Sequence, residues 1–150
     1  MFRILVDADS SPVKQEVYRV AKRYGLRVIL VANSAITIPP EDWIELKVVS
    51  NYPDAADDWI AEHVEKTDIV ITGDIPLVSR SLKKEARVLS PHGVVFTENS
   101  IGDALATRDL MTHLRDIGIT TGGPPSFAKK YRSRFLQALD GLIQATLNGK

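Results

Sequence analysis

The chain has 150 residues, 44% of them hydrophobic and 25% charged, which predicts one domain with a core able to stand without disulfides or metals. It contains no cysteine, so disulfides, thiolate metal sites and cysteine nucleophiles are excluded. Its 19 basic residues balance 19 acidic ones, which excludes a simple polycationic nucleic-acid binder. The longest apolar runs, such as Val28–Ala32, are too short to span a bilayer. No apolar stretch with a small-residue cleavage site follows Met1, so the expected location is the cytoplasm, with no membrane partner.

The first element is the apolar run Arg3–Asp7, a strand ending in an acid. Ser11 before Pro12 reads as the cap and first residue of a helix. Val13, Val17, Val20, Ala21 and Tyr24 continue it as an apolar stripe, and Gly25 ends it. Residues 27–32 are a β-branched run of buried-strand type. Pro39-Pro40 breaks the next segment, and residues 46–50 are the third strand. Asp54 can cap a helix running to about Lys66, and Asp68–Thr72 is the fourth strand. A short helix over Pro76–Glu85 follows, then strand pieces at 87–89 and 94–97. A helix over 100–116 ends at Gly118, and Thr120–Pro125 is the clearest break in the chain. The last helix, about 126–147, carries the stripe Phe127, Tyr131, Phe135, Leu139, Leu142 and Ile143. It is expected either to pack on its own domain or to join two subunits.

Strands alternating with helices predict an α/β fold: a mainly parallel sheet of about five strands, helices on both faces, and a C-terminal helix. The expected organisation is a single domain over 1–150, with 126–150 as a helical extension. Ligands of such sheets bind outside the carboxyl ends of the strands, so the polar residues ending each strand are the site candidates.

Those residues are acidic. Asp7 ends the first strand and Asp9 follows it. Asn33 ends the second, and Thr72-Gly73-Asp74 ends the fourth. Asp54, Asp57 and Asp58 open the helix after the third. Carboxylates brought to one edge repel unless a cation lies between them, and oxygen-only ligands select Mg²⁺ or Mn²⁺. Asp7, Asp57 and Asp74 are therefore the candidate catalytic acids, and Asp7, Asp9, Asp57, Asp58 and Asp74 the candidate metal ligands. Helical spacing puts Ala56, Trp59, Ile60, His63 and Val64 on one face, with Asp57 at its border and Asp58 nearly opposite. Asp57 is thus preferred over Asp58. Each acid also has a bland reading: Asp54 as a cap, Asp58 and Glu62 as a solvated face, Asp9 as a turn former.

Charge is unevenly spread. Residues 54–74 hold seven acids and one base, and residues 126–150 hold five bases and one acid, the division expected of a cation site beside a polyanion site. Lys14, Asn33 and Arg80 are the candidate contacts to phosphate, and RNA or DNA the candidate partner. Four bases interleave with aromatics over Phe127–Phe135, as on a single-strand binding surface, but the aromatics fall at a helical spacing for which packing is the preferred reading. His63 reads as a core histidine, His92 as a turn residue and His113 as a surface residue.

Several motifs together are similar to one family. Val6-Asp-Ala-Asp-Ser-Ser-Pro-Val-Lys14 resembles the Asp-Ala-Asp-Ala-Cys-Pro-Val-Lys signature of the YaiI/YqxD family of uncharacterised bacterial proteins. The likeness continues in Val31-Ala-Asn-Ser34, Asp54-Ala-Ala-Asp-Asp-Trp-Ile60, Ile71-Thr-Gly-Asp-Ile-Pro-Leu77 and Ala104-Leu-Ala-Thr-Arg-Asp-Leu110, then in Thr121-Gly-Gly-Pro124 and Arg132-Ser-Arg-Phe-Leu-Gln-Ala-Leu139. Ser11 stands where the family usually has cysteine. The resemblance implies a PIN-like domain, whose relatives gather acids to bind Mg²⁺ or Mn²⁺ and hydrolyse RNA or DNA. Asp7, Asp57 or Asp58, and Asp74 fall at the matching positions. Three readings follow: a metal-dependent nuclease, a non-catalytic RNA- or protein-binding module, and a haloacid-dehalogenase-like phosphatase built on Asp7 and Asp9. The last lacks the later acid of its pattern, because Val78 stands there.

Overall fold

Apolar runs with no polar alternation bury on both faces, and the first strands of this chain do so. The structure, a computed structural model, describes residues 2–52, 54–98 and 128–149. β1 (Ile4–Asp7), β2 (Val28–Ala32) and β4 (Ile69–Ile71) are buried along their whole lengths. With β3 (Ile44–Val48), β5 (Arg87–Leu89) and β6 (Val95–Phe96) they form one six-stranded sheet, in the order β3-β2-β1-β4-β5-β6. β1 to β5 run parallel, and β6 is a short antiparallel edge on β5. The predicted α/β class and mainly parallel sheet are what the structure has.

The pleat divides each strand between two apolar layers. Ile4, Val6, Val28, Leu30, Ile69 and Ile71 face α1 (Lys14–Tyr24) and α4 (Ala128–Leu147). Leu5, Ile29, Val31, Val70 and Val88 face α2 (Ala55–His63) and α3 (Ile75–Lys83). Of the two readings open for the last helix, packing on its own domain is the observed one. Phe135, Leu139 and Ile143, four residues apart, are fully buried in the α1 layer. Polar ties hold both ends. Arg132 donates to the Pro12 carbonyl at 2.8 Å and to Glu16 at 2.9 Å, and the Tyr24 hydroxyl donates to Asp140 at 2.6 Å.

Several predicted boundaries shift. Ser11 does not cap α1, because a single 3-10 turn at Ala8–Ser10 turns the chain first and the helix starts at Lys14. Gly25 does end it, in the left-handed conformation (φ 69°) that favours glycine. β3 lies over 44–48 rather than 46–50, because its pairing with β2 runs from Val28↔Ile44 to Ala32↔Val48. α2 stops at His63, since Val64 turns extended. The helix at 100–116, His113, the break at 120–125 and Phe127 lie outside the described residues. No described helix is long and apolar enough to cross a membrane.

Strand order positions the site. The chain leaves β1 for β2 and β3 on one side, then crosses to β4 on the other. The strand order therefore reverses between β1 and β4. There the connections diverge to opposite sides and leave a crevice at the carboxyl edge, where ligands of open α/β sheets bind.

Candidate active site at the carboxyl edge

Asp7 ends β1 at that crevice and is 6% exposed. Thr72, the residue after β4, is fully buried beside it. Its hydroxyl donates to Asp7 Oδ2 at 3.1 Å and accepts the Asp74 N–H at 3.1 Å. One side chain thus fixes a carboxylate from β1 and the backbone of the loop after β4. Asp74 then caps α3, its Oδ2 accepting the Leu77 N–H at 3.1 Å. Pro76 follows in the first turn, where a missing N–H costs nothing.

Asp57 reaches the same place from the first turn of α2. It is half-buried, and burial pushes its carboxyl up from 3.8 to about 7, helped by the charges of Asp74 and Asp7, a hydrogen bond with Asp74 and the charge of Asp54. Three segments far apart in sequence therefore deliver interacting carboxyl groups to the switch point. Among the described residues, no lysine or arginine forms an ion pair with Asp57 or Asp74. The acid at the opposite edge of the sheet is treated differently: Asp68 is buried and bridged by Arg3 at 2.7 Å.

A small cleft of about 160 Å³ opens beside Asp57 and Asp74, walled by these two with Asp54, Asp58 and Arg80, and Asp7 lies outside its lining. Asp58 belongs to the wall, where Arg80 binds it at 2.7 Å. Asp54 occupies the predicted cap position of α2 but makes no side-chain cap bond, so its carboxylate is left to the cleft. Sequence reading had set it aside as a cap.

The other candidates stand further from this centre. Asp9 is exposed, and its Oδ2 accepts the Asn33 N–H at 2.9 Å. The Asn33 amide donates to the Ser50 carbonyl at 3.1 Å and to the Tyr52 carbonyl at 3.4 Å, so it ties two loops together. Lys14 folds back on the Ser11 carbonyl at 3.1 Å. His92 lies in a turn as expected, edge-on to Tyr131. His63 is not a core histidine. It is exposed and stacks on Trp59, at 4.0 Å between ring centroids and 13° between planes.

The donor set is all carboxylate, which suits a hard divalent cation. Among the described residues, no three acidic or imidazole groups already close around one point in metal-ligand geometry.

Thr72 is the residue that sequence reading undervalued; its signal was a hydroxyl between a buried strand and Gly-Asp. Thr72→Val keeps the shape but removes one donor to Asp7 and the acceptor of the Asp74 N–H. Urea unfolding is expected to show a loss of about 1–3 kcal/mol, with Thr72→Ser close to the parent. A neutral Thr72→Val would reject this bridging role.

A three-layer α/β/α protein with acids gathered at its topological switch point is the class that fold and site define. The model of the family described as "Uncharacterized BCR, YaiI/YqxD family" matches residues 5–145, and the chain belongs to that family. It is 59% identical to UPF0178 protein amb2838 of Paramagnetospirillum magneticum over 143 residues, covering 95% of both chains. It is 57% identical to a UPF0178 protein of Brucella ovis over 138 residues, 91% of this chain and 86% of that one. No solved structure matches it.

Proposed function

We propose that this protein is a Mg²⁺- or Mn²⁺-dependent nuclease that hydrolyses phosphodiesters at the carboxyl edge of its sheet. The observation that carries this reading is the convergence of Asp7, Asp57 and Asp74 at the switch point, where burial first, and then the charges of Asp74 and Asp7, raise the Asp57 carboxyl. Asp7 and Asp74 are the groups to hold the ion, with Asp57 completing the site. The ion, when bound, supplies an acidified water and neutralises charge on the phosphodiester. Thr72 holds Asp7 in place, and the α3 cap bond fixes Asp74. Asp57 is suited to join the ion directly or through its bound water. Of the three groups expected at phosphate, only Arg80 lines this cleft, and its N–H groups beyond the Asp58 pair can reach an anion there.

Calorimetry with Mn²⁺ tests the site. Micromolar binding by the parent is expected, and its loss in Asp7→Asn and Asp74→Asn. The proton on Asp57 competes with the cation, so affinity should rise as pH goes from about 6 to about 8, with proton release on binding. The metal-free protein has the opposite slope. A carboxyl raised in the fold contributes stability in full below 3.8, and that contribution is lost as pH rises through about 7. No Mn²⁺ binding by the parent, with or without an oligonucleotide, overturns the metal assignment and leaves a binding module.

A further inference from the structure

A second, larger cleft of about 330 Å³ adjoins the acidic one, and Asp58 belongs to both walls. It lies between the carboxyl end of β3, the edge strand, and the first turns of α2. Its walls are of a different kind. Tyr52, 52% exposed, and Trp59 line it, with Lys47 and Val48 (45% exposed) from β3 and the carboxylates of Asp58 and Glu62 from α2. Its size falls near the lower end of the ~300–1,000 Å³ range of small-ligand pockets.

Both aromatic residues are held in position. The His63 ring stacks on Trp59, and His63 Nδ1 is 2.8 Å from the Trp59 carbonyl. The Tyr52 carbonyl accepts from the Asn33 side-chain amide, and the Asn33 backbone N–H binds Asp9 in the turn after β1. The loop carrying Tyr52 is thereby tied to the loop that follows Asp7. Exposed aromatic faces bind bases without regard to sequence, and a cation beside them suits the phosphate of the same nucleotide.

We infer that this cleft takes one base of a single-stranded nucleic acid whose phosphodiester lies at Asp7, Asp57 and Asp74. The inference rests on the nuclease reading and names its substrate class: single strands, whose bases are free to leave the stack. A duplex keeps its bases paired and cannot fill the cleft.

The test is fluorescence anisotropy with hydrolysis-resistant phosphorothioate oligo(U) and oligo(dT) of about eight nucleotides, in Mn²⁺ and low salt. Tyr52→Ala is expected to weaken binding about 5- to 100-fold, the loss of one stacked base. Tyr52→Phe keeps the ring and should bind like the parent. Duplex binding should be unchanged in both variants, and so should Mn²⁺ affinity by calorimetry. Equal single-strand binding by parent and Tyr52→Ala overturns the base site and leaves the nuclease reading standing. A parent that binds Mn²⁺ but no oligonucleotide overturns both. A preference for oligo(U) or oligo(dT) with the same Tyr52 dependence supports the site.

Discussion

Asp7→Asn is expected to abolish Mn²⁺-dependent cleavage of single-stranded nucleic acid while the protein stays folded. The carboxylate ends a central strand and is 6% exposed, so no other group can replace it from solvent. Asparagine has the same shape, and its amide oxygen can still accept the Thr72 hydroxyl that now binds Asp7 at 3.1 Å. The charge is lost, and one acceptor oxygen becomes an NH2 donor. A ligand carboxylate contributes several kcal/mol to holding the ion and its developing charge, and about 4 kcal/mol corresponds to ~10³-fold in rate. The measurement is a gel assay at about pH 8, where Asp57 is ionised, with thermal melts to establish folding. Cleavage retained by folded Asp7→Asn would remove Asp7 from the site. A parent that binds Mn²⁺ and oligonucleotide but cleaves nothing would be a binding module on the same acids.

Phe135→Ala is expected to cost about 3–5 kcal/mol, a large share of the ~5–15 kcal/mol that stabilises a typical domain. Phe135 is fully buried in the layer formed by α1, α4 and one face of the sheet. Truncation leaves a cavity that the strands beneath cannot close. Urea unfolding gives the comparison, with Leu147→Ala as the control, since Leu147 is 47% exposed near the end of the same helix. A loss for Phe135→Ala no greater than that for Leu147→Ala would make α4 an appendage rather than part of the core.

The runs at residues 4–7, 28–32, 69–71 and 87–89 make the strands legible in the sequence, because parallel strands are buried on both sides and here carry polar residues only at their ends, Asp7 and Arg87. β3 was misplaced by two residues. It is an edge strand with Glu45, Lys47 and Val48 exposed, and only its pairing with β2 sets its span. Ser11 was misread as a cap for a similar reason. Nothing local distinguishes a serine before a helix from a serine before a turn that precedes one.

The site divides along the same line. Sequence by itself determined the class of fold and the acids that end its strands, because periodicity and strand-end chemistry are local properties. Only the tertiary structure decided what those acids do to one another. The strand order brings β1 beside β4, Thr72 bridges Asp7 to the loop that carries Asp74, and burial with two neighbouring charges lifts Asp57 toward neutrality. Tertiary contacts also turned Asp9 to the Asn33 backbone, paired Asp58 with Arg80 and left Asp54 to the cleft. Carboxylate coupling acts through space over a few ångströms, between residues up to about 67 positions apart in the chain, and no periodicity encodes such a distance.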